Sequence, residues 1–91
     1  MMRVITQSNL FKRDLEKAKK RKFDLSLLKE VVQKLANNEK LEAKYKDHPL
    51  KGKFKGLREC HIQPDWLLIY CIDGNEIELL LLRTGTHSDL F

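Results

Sequence analysis

The last third of the chain constrains the fold most. Three β-prone runs, Leu57 to Ile62, Trp66 to Ile72 and Glu76 to Arg83, are separated by the turn-forming segments Gln63-Pro64-Asp65 and Asp73-Gly74-Asn75. Breaks this short join neighbouring strands only as antiparallel hairpins, so the three runs form a meander. Trp66 to Ile72 is apolar almost throughout, which is the pattern of a central strand covered on both faces. The rest of the chain must supply that cover.

Two amphipathic segments can do so. From Leu10 to about Lys22, the residues Leu10, Phe11, Leu15 and Ala18 recur at helical spacing, with Ser8 in position to cap the helix and lysines and arginines on its outer side. A second helix starts at Asp24, with Leu25, Leu28, Val31, Val32 and Leu35 as its apolar stripe, and stops at Asn37-Asn38. Phe23 is placed to pack back on Leu28 as a staple. Met2 to Thr6 reads as a first strand. Periodicity disappears from Glu39 to Gly56, where Pro49, Gly52 and Gly56 punctuate a charged stretch, so a long ordered loop is expected there. Thr84 to Phe91 is a tail. The expected order is β-αα-βββ, a single α+β domain over residues 1–91 with a helical hairpin packed on a mostly antiparallel four-stranded sheet.

The net charge of +5 is unevenly distributed. Lys44 to Arg58 carries six basic residues against one acidic, whereas Glu59 to Phe91 carries one against six. Lys51, Lys53, Lys55 and Arg58 cannot be buried together without large desolvation penalties, so they read as a solvated cationic ribbon suited to a polyanion. Nucleic acid is the leading partner class and an acidic protein the next. No run reaches the roughly 20 apolar residues of a membrane span, and Met1-Met2-Arg3-Val4 leads straight into a strand without a signal-peptide core, so a cytoplasmic protein is expected. Cys60 and Cys71 lack CxxC spacing and read as buried free thiols in a reducing compartment.

Chemistry concentrates between Asp47 and Trp66 and again at the tail. The second and fourth strands of the expected sheet run the same way, so His61, Asp65, Arg83 and His87 emerge at one edge, and the loop can bring His48 over it. Cleavage of RNA without a metal needs a base for the 2′-hydroxyl, an acid for the leaving 5′-oxygen and cations for the phosphorane. On this reading His87 is the acid, His61 or His48 is the base, Asp65 holds an imidazole in its tautomer, and Arg83 clamps phosphate. Each residue has a plainer role open to it. His61 could be a structural histidine and His48 a loop former. Asp65 could be an Asx-type turn residue, and Arg83 could pair with Glu59 or Asp65. Trp66 is either core or a platform on which a base stacks, and Phe91 suits stacking or closing the site. Cys60 and His61 point to opposite faces of one strand, which argues against a zinc site with His48 and His87, and no metal or cofactor is expected.

The segments Tyr45 to Gly56 (YKDHPLKGKFKG), Arg58 to Tyr70 (RECHIQPDWLLIY) and Leu81 to Phe91 (LLRTGTHSDLF) together resemble the RelE superfamily of type II toxins, and within it the YafQ-like branch. The resemblance covers the whole chain. It implies an mRNA interferase that cuts mRNA, in many relatives on the ribosome, and that is held inactive by a cognate antitoxin. It also places function at His48, His61, Asp65, Arg83, His87 and Phe91. Two other classes are a basic domain that binds RNA, ribosome or partner without cutting, and a corepressor that reaches operator DNA only within a toxin–antitoxin complex.

Overall fold

The computed structural model describes residues 2–91. The meander is present as β3 (Arg58–Gln63), β4 (Trp66–Asp73) and β5 (Glu78–Gly85), joined antiparallel. The first strand, β1 (Val4–Gln7), adds parallel to the outer side of β5. A fifth strand, β2 (His48–Pro49), pairs antiparallel with β3, giving the sheet order β1-β5-β4-β3-β2.

That fifth strand corrects the expected count of four. It is two residues long and lies within a segment that shows no periodicity in the sequence. Its proline is tolerated because β2 is an edge strand, where a missing N–H breaks no ladder. Asp47 fastens the segment to the sheet: its carboxylate accepts from Arg58 Nη2 at 3.1 Å and from the Tyr70 hydroxyl at 2.5 Å. Burial, reinforced by Asp47, keeps that phenol protonated well above its usual range. The β4–β5 turn is also longer than the sequence suggested. Gly74, Asn75 and Glu76 all adopt left-handed φ values, of 60°, 58° and 68°, so Glu76 and Ile77 belong to the turn and β5 begins at Glu78.

The helices form as their caps and stripes dictate. In α1 (Asn9–Lys20) the Ser8 hydroxyl accepts from Phe11 N at 3.0 Å, and in α2 (Leu25–Ala36) Asp24 accepts from Ser26 N at 3.0 Å. Lys22 takes φ 61° and Phe23 N returns to Ala18 O, a Schellman closure that ends α1 before Lys22. Phe11, Leu28, Val31 and Leu35 then cover the side of the sheet carrying Cys60, Ile62, Leu68 and Tyr70. Each fully buried large side chain of this layer stabilises the fold by about 1.5–3 kcal/mol. Burial pushes the Cys60 thiol up to about 12, and both cysteines are free.

Trp66 belongs to this core. It is 1% exposed, meets the edge of Phe23 at 5.0 Å between centroids, and donates from Nε1 to Thr84 Oγ1 at 2.9 Å. No ring face is open to a nucleobase, which corrects the stacking role considered for it. Among the described residues, no helix is long and apolar enough to cross a membrane.

One buried cation closes the far end of the molecule. Arg3 donates to the carbonyls of Leu35 and Glu76 at 2.7 and 2.9 Å and to Asn38 Oδ1 at 2.8 Å, tying β1 to the end of α2 and to the β4–β5 turn. Its ion pair with Glu76 is a minor part, because that carboxylate is largely in water. Arg3→Ala strands the Leu35 carbonyl in the interior and should cost about 3 kcal/mol in urea unfolding. A loss below about 0.5 kcal/mol, the range of ordinary surface changes, would show that these bonds are dispensable.

Candidate active site

Pairing and alternation assemble the first half of the site. His48 on β2 stands directly across from Glu59 on β3, and His61 lies two residues beyond Glu59, so the three side chains share the sheet face away from the helices. The Glu59 carboxylate, only 9% exposed, sits between the two rings, 3.5 Å from His48 Nε2 and 3.7 Å from His61 Nε2. The His48 and His61 centroids are 6.5 Å apart. Lys46, at φ 48°, points its carbonyl at His48 Nδ1 from 2.6 Å. Against a carbonyl that nitrogen must be the donor, so Nε2 is the atom turned toward Glu59.

The second half comes from the tail, which turns into the short helix α3 (His87–Leu90). The cause is local: Thr86 caps Asp89 N while Asp89 accepts from Thr86 N, a complete capping box. His61 pairs with Leu67, which pairs with Gly85, so β3 delivers His61 to the point where α3 starts. The His61 and His87 centroids are 5.7 Å apart. Asp65, in the β3–β4 turn, accepts from His87 N at 3.0 Å and from His87 Nδ1 at 2.6 Å. These two bonds, the backbone one first, hold the Asp65 carboxyl below its usual range and leave His87 Nε2 free. Phe91 closes the tail edge-on against Phe54, 5.8 Å between centroids.

Carboxylates on and around α1 hold this half in place. Asp14, nearly buried, takes Arg83 Nε and Nη2 at 2.7 and 3.1 Å and also the backbone N–H of Thr84 at 3.1 Å. Arg83 therefore pairs with Asp14, not with Glu59 or Asp65, and only its Nη1 edge lacks a protein partner among the described residues. Asp89 receives Arg21 through both oxygens at 2.7 and 3.1 Å and Lys17 at 3.2 Å. Gly85 permits this approach, since a Cβ there would stand 3.0 Å from the Asp89 side chain.

The structure thus brings His48, His61, Asp65 and His87 to one lip, while the Arg83 guanidinium is held by Asp14 and the Phe91 ring packs on Phe54. Lys51, Lys53 and Lys55 remain exposed on the adjoining loop. Arg58 is different. Alternation sends it to the other side of β3 from Glu59 and His61, where Asp47 occupies it, so it fastens the loop and does not join the ribbon facing the lip. Sequence reasoning missed Glu59, Asp14 and Asp89. Only Glu59 left a signal, as the acidic residue alternating with His61. Among the described residues, no three His, Cys, Asp or Glu side chains are grouped to hold a metal ion.

Residues 3–91 match the family described as bacterial toxin of type II toxin-antitoxin system, YafQ. The chain is 44% identical over 92 residues to the mRNA interferase toxin YafQ of Escherichia coli K12, covering 100% of this chain and 98% of that one. The toxin in the crystal structure of the E. coli DinJ–YafQ toxin–antitoxin complex superposes with a TM-score of 0.90 at 43% identity, covering 100% of this chain and 99% of that one. A copper-bound mutant toxin from Helicobacter pylori gives 0.92 at 43% identity, with both chains fully covered.

Asp89 generates a test of how the tail is held. Arg21 first, and the Thr86 N–H next, hold its carboxyl well below the usual range. A depressed folded value means stability that is complete above the unfolded carboxylate value of about 3.9 and is lost as pH falls through the folded value. Asp89→Asn should cost about 1–2 kcal/mol at pH 7, and the gap to the unaltered protein should narrow below about pH 4. Thermal unfolding of both proteins across pH checks this, and a gap that widens on acidification would contradict it.

Proposed function

The chain belongs to the YafQ family of bacterial type II toxins, and from that membership we propose that it is an mRNA interferase, a metal-independent endoribonuclease that inhibits translation by cutting mRNA and is held inactive by a cognate antitoxin. The observation that carries the mechanism is the 5.7 Å approach of the His61 and His87 rings, with His87 Nδ1 already committed to Asp65. In this reading His61 takes the 2′-hydroxyl proton as that oxygen attacks phosphorus. The bond from phosphorus to the 5′-oxygen breaks, and His87 Nε2 returns a proton to the leaving oxygen. The products are a 2′,3′-cyclic phosphate and a 5′-hydroxyl end.

His61 suits the base role because it neighbours His87 directly, whereas His48 lies beyond it. Glu59 orients both His48 and His61. His48 and the free Nη1 edge of Arg83 face the charge that builds on the phosphorane. Lys51, Lys53 and Lys55 follow the RNA backbone, and Phe91 closes the site. A domain that only bound RNA would have no use for a carboxylate bonded to one nitrogen of an imidazole whose other nitrogen is left open. The same basic surface suits ribosome-bound mRNA or, in the inhibited state, an acidic antitoxin segment. Operator DNA would be reached only through the toxin–antitoxin complex, and the working compartment would be the cytoplasm.

Primer extension on mRNA, with and without ribosomes, tests this. His87→Ala should lower cleavage by about 10²–10⁴-fold while the protein stays folded. A 2′-deoxy sugar on the 5′ side of the cleaved bond should abolish cutting, and a chelator should leave it unchanged. Cleavage that survives the deoxy substitution, or that vanishes with the chelator, would refute the mechanism.

A further inference from the structure

Beside His61 the sheet edge opens into a cleft of about 500 Å³, bounded by α2, the 3-10 turn Ala43–Tyr45 and the end of β3. It exists because β2 is so short. Pairing stops at Glu59, and among the described residues no strand lies beside the outer edge of β3 beyond that point. The floor is apolar, formed by Leu27, Ile62 and Tyr45, while Glu30, Lys44 and Gln63 stand among the polar residues of the wall.

We propose that this cleft is the subsite for the base of a nucleotide next to the cleaved bond, and that it favours a base with an exocyclic amino group. The inference rests on the nuclease reading above and extends it to substrate choice. A nucleobase is a flat apolar plate with a polar edge, and the cleft offers an apolar floor with a polar wall. Position ties the two sites together, because His61 lines the cleft and also faces His87 at 5.7 Å. An ionised Glu30 can only accept, so it welcomes the amino group of adenine, cytosine or guanine and opposes the O4 acceptor of uracil. Its ion partner is Lys34 at 3.9 Å, which leaves carboxylate lone pairs open to a ligand. Gln63, which both donates and accepts, carries no hydrogen bond to another side chain among the described residues and is exposed at the end of β3. Lys44 Nζ, 5.1 Å from the centroid of the Tyr45 ring, supplies a cation at the mouth for the phosphate of the bound nucleotide.

The test measures cleavage kinetics on mRNA, ribosome-bound where cutting requires it, with each of the four bases placed next to the cut. Uracil there should raise KM about tenfold with kcat within about twofold, an effect read on the unaltered protein. Glu30→Gln should erase most of that discrimination, and Gln63→Ala should raise KM about five- to tenfold for the amino-bearing bases, again with kcat nearly constant. Both residues are exposed, and thermal unfolding close to that of the unaltered chain confirms that the variants are folded. Equal KM for all four bases, or variants that lose kcat at unchanged KM, would overturn the subsite and leave the nuclease reading standing. An unaltered protein that cuts no RNA with or without ribosomes would overturn that reading, and the subsite with it.

Discussion

The antiparallel register of β3, β4 and β5 is the constraint on which the site depends. It sets His61, Leu67 and Gly85 in one row across the sheet, so two histidines 26 positions apart in sequence, His61 and His87, meet at one corner. A slip of one residue would turn His61 toward the helices and bring Cys60 to the lip, because side chains alternate along a strand. Thr84 pins the register from inside: its hydroxyl accepts from Trp66 Nε1 and donates to Leu67 O at 2.7 Å. An interior hydrogen-bonded pair of this kind is costly to break, so the corner where His61 and His87 meet inherits the rigidity of the core.

Electrostatics completes what the register begins. The acidic end of the chain does not simply offset the basic part. Four carboxylates are spent on placing cations and imidazoles: Glu59 on His48 and His61, Asp65 on His87, Asp14 on Arg83, and Asp89 on Arg21 and Lys17. The lysines of the loop are left exposed beside this lip. The result is a surface with an exposed cationic loop beside a cluster of imidazoles held in place by carboxylates.

Much of the fold was legible because hydrophobic periodicity is a local signal. Leu28, Val31 and Leu35 announce a helix face, and Trp66 to Ile72 announces a central strand, without knowledge of any partner. Ser8 and Asp24 were legible as caps for the same reason. The strand at His48–Pro49 was not, since two residues carry no period and their pairing depends on Asp47 reaching Arg58 and Tyr70. The histidines could be placed at one edge from strand direction alone. Their supports could not: Asp14 meets Arg83 across 69 positions and Arg21 meets Asp89 across 68, and no local pattern marks such pairs. Trp66 was read two ways because a tryptophan at the start of a strand can face either water or core. Only the Thr84 bond and the neighbouring Phe23 decide between them.

The central claim is that His61 and His87 address a single phosphodiester. The most direct measurement is a titration, at one pH, of the imidazole ring resonances of the folded protein with a dinucleotide made uncleavable by a 2′-deoxy sugar. The account predicts that the His61 and His87 signals move together and saturate at one equivalent with one dissociation constant. Signals that respond separately, with different constants, or a response from only one of the two rings, would contradict it.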